Sequence, residues 1–146
     1  MALKDDIAVL SRVPVFSGMN EEQIRLLAFG AEKRHIAEGQ TLFREGEPAD
    51  CAYLILSGHL VLKAANGAEQ DVQPGALLSE IAMVSPIERK FSAFAAQDSQ
   101  VMRITRELFV RLLEEFPEAA AIVEARIRDN LTSLLGGIAA QKHRFS

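Results

Sequence analysis

The residue types best able to do chemistry fall in one stretch. Pro74-Gly75-Ala76-Leu77-Leu78-Ser79-Glu80-Ile81-Ala82-Met83-Val84 is followed by Arg89-Lys90-Phe91-Ser92-Ala93, which puts Arg89 nine residues after Glu80. A guanidinium is a planar fork that can meet two oxygens of one anion at once. A glycine-bearing approach into a short helical turn leaves backbone N–H groups open at the turn's start, and these favour the same kind of guest. Glu80 adds a carboxylate acceptor, and Ser79 and Ser92 add hydroxyls. Taken without their surroundings, Glu80 and Arg89 read equally well as a structural ion pair, worth about 0–1 kcal/mol at a surface. Lys90 reads as a solvated charge.

Other chemistries find little support. His35, His59 and His143 are far apart and offer no closely spaced metal-binding pair. No nucleophile stands beside a base. Cys51 is the single cysteine, so no internal disulfide can form and an oxidising compartment is not required. No sequence neighbour activates its thiol, and it reads as a small residue entering a strand. The 146 residues, 49% hydrophobic and 25% charged, suit one domain (1–146) with one core. A formal net charge of -4 argues against a nucleic acid partner, which rewards dense Lys and Arg clusters. The N-terminus carries no secretory pattern, and no stretch approaches the roughly 18 apolar residues of a membrane span. A cytoplasmic location is the default expectation.

The elements that must position the stretch are helices, then many strands, then two helices. Asp5 to Leu10 is weakly helical. Asn20 can cap a helix from Glu21 to about Gly30, with Gln23 completing a capping box. Ile24, Leu27 and Ala31 then face one way. From about 32 to 104, short apolar or alternating runs are separated by turn residues such as Gly46-Glu47-Pro48, Ser57-Gly58 and Pro74-Gly75. That rhythm predicts a sandwich or barrel-like roll. Asn66-Gly67 predicts a hairpin with a type I′ turn, because both residues tolerate positive φ. Ala52 to Leu56 is apolar on both faces and predicts a buried strand. Residues 105–116 and 117–140 predict two helices: Thr105 caps the first, and Pro117 ends it and opens the second. On the second, Val123, Ile127, Leu131, Leu134 and Ile138 form one stripe, to be covered by the roll or by a second copy of the chain.

With its flanks, the central stretch resembles the cyclic nucleotide-binding domain family, which includes catabolite activator proteins, protein kinase A regulatory subunits and cyclic-nucleotide-gated channels. Pro74-Gly75 and Glu80 to Val84 match that family's phosphate-binding cassette in register, and Arg89 falls at its arginine. Gly46 to Asp50 followed by Tyr53 to Gly58, and Asp98-Ser99, match further landmarks, and the likeness runs from about Val15 to Ile138. The resemblance implies a mainly β fold. This is a β-roll of the jelly-roll-like double-stranded helix type, with an N-terminal helix, a short cassette helix and two C-terminal helices. It implies a regulatory or sensor module, not an enzyme, with no cofactor and with cAMP, before cGMP, as ligand. Arg89 would hold the phosphate with the amides of Glu80, Ile81 and Ala82, and Ser79 and Ser92 would add hydroxyls. The Glu80 carboxylate would take the ribose 2′-hydroxyl. Asn130, Leu131 and Leu134 on the last helix would face the base, and that helix would also serve a homodimer or an effector protein.

Two residues depart from the pattern. Ser79 stands where the family has a glycine, and Phe91 stands where it has a small alanine. They keep open an alternative: the same fold as a ligand-free structural or protein-interaction domain. Activators of this family place a DNA-binding helix-turn-helix after the last helix; none is expected within residues 1–146, and a longer open reading frame would remove that objection.

Overall fold

The computed structural model describes the backbone of residues 2–136 and the side chains of residues 4–130. Helix α1 (Ala2–Ser11) and a 3-10 turn (Pro14–Phe16) lead into α2 (Glu21–Gly30). The expected capping box is present: the Asn20 side chain accepts from the Gln23 N–H, and the Gln23 side chain accepts from the Asn20 N–H. Ten strands follow. These are β1 (Glu32–Ile36), β2 (Thr41–Phe43), β3 (Pro48–Ala49), β4 (Cys51–Ser57), β5 (Leu60–Lys63), β6 (Glu69–Val72), β7 (Leu77–Leu78), β8 (Ile87–Glu88), β9 (Ser92–Ala95) and β10 (Ser99–Thr105). The short cassette helix, Glu80–Met83, is a 3-10 turn between β7 and β8. Helices α3 (Arg106–Glu115) and α4 (Pro117–Gly136) close the described fold.

The strands form two antiparallel sheets, ordered β1-β10-β4-β7 and β2-β9-β5-β6, with β3 and β8 pairing separately. This is the expected β-roll with flanking helices. Its strands divide their side chains between two cores because successive residues point to opposite faces. Ala52 and Leu54 of β4 join Met102 and Ile104 of β10 in a core shared with the helices. Cys51, Tyr53 and Ile55 join Val101 in the interior of the roll. Burial on both sides explains why β4 is apolar from Cys51 to Ile55.

Two turns need their glycines. Gly58, at φ 93°, leads from β4 to β5, and a Cβ there would lie 2.6 Å from the Asp98 carbonyl oxygen. The β5–β6 hairpin forms as expected, but its turn is not type I′. Among the described residues Ser79 is the one non-glycine with positive φ, so Asn66 stays on the ordinary side. Its carboxamide oxygen instead accepts from the Ala68 N–H, while Gly67 takes φ 89° and donates to the Ala64 carbonyl. The asparagine's local hydrogen bond outcompetes its tolerance of positive φ, giving a longer loop with one left-handed glycine.

On α4, Val123 and Ile127 are fully buried in this chain's own helix-side core. The first half of the apolar stripe is therefore spent internally; Leu131, Leu134 and Ile138 lie outside the described side chains. Among the described residues no helix is long and apolar enough to cross a membrane.

Candidate nucleotide site

The site is assembled from β7, the cassette helix, β8 and the strands that face them. Ser79 has φ 61° and ψ 43°, the left-handed conformation that a glycine adopts without cost. The serine replaces the glycine yet keeps its backbone geometry, at about 1–2 kcal/mol of strain. It is 2% exposed, and its hydroxyl makes no capping bond to the cassette helix. Ile81 and Ala82 are buried behind Glu80. The Ala82 N–H closes the first turn onto the Ser79 carbonyl, so this amide is committed to the helix. Glu80 sits at the partly exposed rim, where its carboxylate accepts from the Asn130 carboxamide of α4 at 3.1 Å.

Arg89 follows β8. Its backbone is pinned by two bonds to the β2–β3 loop: the Gly46 N–H donates to its carbonyl, and its own N–H donates to Glu47. The same loop is held by the Ser92 hydroxyl, which accepts from the Glu45 N–H at 2.9 Å. Ser92 therefore braces the loop on which the arginine rests.

The Arg89 side chain enters the roll and is 5% exposed. Nη1 donates to the Cys51 carbonyl at 3.0 Å, and Nη2 lies 3.3 Å from Cys51 Sγ. The guanidinium carbon lies 4.4 Å from the centre of the Phe43 ring and 5.3 Å from that of Tyr53. Phe43 stacks on Tyr53 at 5.7 Å and meets Phe91 at 5.5 Å in a tilted pair. Phe91, 1% exposed, is part of the roll's interior. Burial pushes the Tyr53 phenol above its usual range, and the neighbouring Cys51 pushes it the same way, against a smaller opposing pull from Arg34 and Arg89. Among the described residues no carboxylate pairs with Arg89. The ring faces and one carbonyl partly compensate its charge. They do not neutralise it.

This geometry brings Arg89 together with Phe43, Tyr53 and Cys51, which the sequence reading left out, and brings Glu80 together with Asn130, which it included. Leu131 and Leu134 lie outside the described side chains. A second arginine was also missed. Arg106, the first residue of α3, donates through Nε to the Ala82 carbonyl at 3.0 Å and through Nη2 to the Ala49 carbonyl at 2.7 Å. A cation in the first turn of a helix opposes the helix dipole, and that mismatch beside the Thr105 cap was the available signal.

The family model of the cyclic nucleotide-binding domain matches residues 33–116, a span that includes Glu80, Arg89 and Arg106. The chain belongs to the cyclic nucleotide-binding domain family. A cyclic nucleotide-binding-like protein from Brucella abortus is 43% identical, with a TM-score of 0.68 over 75% of this chain and 98% of that one. The N-terminal domain of a Streptomyces coelicolor transcriptional regulator is 25% identical, with a TM-score of 0.78 over 89% of this chain and 94% of that one. An uncharacterized NTE family protein of Mycobacterium tuberculosis is 32% identical over 114 residues, 77% of this chain but 20% of its own length. The cyclic AMP receptor protein of Thermus thermophilus is 26% identical over 80% of this chain and 58% of its own length. The chain thus spans less than two thirds of the length of each of these two larger relatives.

Proposed function

We propose that this domain is a sensor module that binds a cyclic nucleotide, cAMP in preference to cGMP, and that its work is regulation by binding without catalysis or DNA contact of its own. The observation that carries this reading is the buried Arg89 with no carboxylate partner among the described residues. Burying an unpaired charge costs several kcal/mol, and folded proteins retain such a group where a counter-ion arrives. A cyclic nucleotide offers one negative charge on two exocyclic oxygens, which suits the guanidinium fork. Ser79 supports the reading, because it preserves the strained backbone of the family's glycine at the cassette entrance. The likeness to a cyclic AMP receptor protein supports adenine over guanine. On this reading the arrangement described here is the resting one, and the ligand phosphate draws the guanidinium off the Cys51 carbonyl.

One observation favours the ligand-free alternative. Phe91 packs on Phe43 inside the roll, and the same Phe43 ring lies beside the guanidinium. If the rings fill the space a ribose needs, the domain keeps the architecture and works as a protein-interaction surface. Thermal melts with cAMP and with cGMP separate the two. Ligand at 100 times its dissociation constant adds about 2.7 kcal/mol of stability. A clear upward shift with cAMP, larger than with cGMP, is expected. An unchanged melt at millimolar concentrations of both nucleotides overturns the sensor reading.

A further inference from the structure

Three successive backbone carbonyls, those of Ala49, Asp50 and Cys51, are held by two arginines from different parts of the fold. Arg106 Nη2 donates to Ala49, and the Arg106 backbone N–H donates to Asp50 at 2.8 Å. Arg89 Nη1 donates to Cys51. The Asp50 side chain is itself held by Arg103 through both carboxylate oxygens at 3.1 Å. Arg106 also reaches the other way. Its Nε donates to the Ala82 carbonyl inside the cassette helix, and Nη2 lies 3.4 Å from the carbonyl of Ser85 just beyond it. One side chain therefore ties the cassette's C-terminal end to the segment that Arg89 grips from within the roll.

We propose that residues 49–51 form a strut that carries the state of Arg89 to the cassette and to α3, with Arg106 as the positioning residue that couples them. The inference rests on the cyclic nucleotide reading for the event that moves Arg89. An anion that takes the guanidinium removes the donor from the Cys51 carbonyl at the start of β4. The two preceding carbonyls are fixed to Arg106, so the adjustment passes to the first residue of α3 and to Ala82. Arg106 touches no part of the ligand in this scheme. Its position at the start of a helix is explained by the carbonyls it collects, since the helix dipole disfavours a cation there.

A double-mutant cycle on the full chain tests the strut without ligand, because residues that share one network are non-additive. Urea midpoints are compared for wild type, Arg89→Met, Arg106→Met and the double variant. Arg106→Met is expected to lower the midpoint markedly in wild type and much less in the Arg89→Met background. Equal shifts in both backgrounds overturn the strut. Hydrogen exchange of residues 106–115 at saturating cAMP then reads the coupling. Protection is expected to change in wild type and to stay flat in Arg106→Met, whose affinity falls by no more than about tenfold because it makes no ligand contact. Arg106→Lys, which keeps the charge but puts one donor nitrogen in place of the Nε–Nη2 pair, restores part of the response. A full response in Arg106→Met overturns the coupling role. A non-additive cycle in a protein that fails to bind cAMP leaves the strut standing and removes the nucleotide as the event that moves it.

Discussion

The two cores of this molecule are built on different principles. The helix-side core is filled by residues such as Leu54, Met102, Ile104 and Phe109, and the buried charge in the helical region, Asp6 of α1, has an ion-pair partner in Lys33 at 3.1 Å. The roll interior holds a buried cation beside the Phe43 and Tyr53 rings with no carboxylate among the described residues to match it. The first core is explained by stability alone, since each side chain removes apolar surface from water. The second is not, because an apolar side chain at position 89 would avoid the desolvation cost. The contrast supports the proposal that function resides in the region that departs from the most stable filling of its own space.

The comparison can be broken by substitution. Phe109→Ala and Phe91→Ala, one in each core, should each cost about 3–5 kcal/mol in urea unfolding. Phe109→Ala should leave the affinity of the folded fraction for cAMP unchanged, whereas Phe91→Ala should alter it. Equal affinities in both variants would remove Phe91 from the site. Arg89→Met should hold stability or raise it by up to about 4 kcal/mol, the upper gain found when buried ionic groups give way to apolar side chains. A loss of the size seen for Phe109→Ala would make the arginine a structural residue. Ser79→Gly should stabilise by up to about 1 kcal/mol, because relief of left-handed strain exceeds the added freedom of the unfolded chain. The smallest effect is alkaline. Tyr53 titrates higher in the folded chain than in the unfolded one, so its contribution is complete below the unfolded value of 10.0 and is lost as pH rises through the folded value. Tyr53→Phe should flatten that decline in melts taken above pH 10, and an unchanged slope would assign it to other groups.

Much of the fold was legible because it depends on neighbours in the chain. The Asn20-Gln23 box, the Thr105 cap and the two-sided burial of β4 each follow from residues a few positions apart. The left-handed backbone before Glu80 was not legible, because Ser79 breaks the family's glycine pattern in identity and only the structure shows that it keeps the glycine's conformation. The site was legible only as a set of residues. Arg89 is fixed by Phe43 and Cys51, some forty residues earlier, and Arg106 by carbonyls, which carry no side-chain signature. The type I′ expectation failed for a related reason: the Asn66 side chain found a backbone donor that its φ tolerance did not disclose.

The central claim is that Arg89 is buried in the roll to receive an anion. Calorimetric titration of cAMP into wild type and Arg89→Ala tests it most directly. Truncating one partner of a buried charge pair costs about 2–5 kcal/mol, so the variant should bind roughly 30-fold to several thousand-fold more weakly than wild type. Equal dissociation constants for the two proteins would contradict the claim.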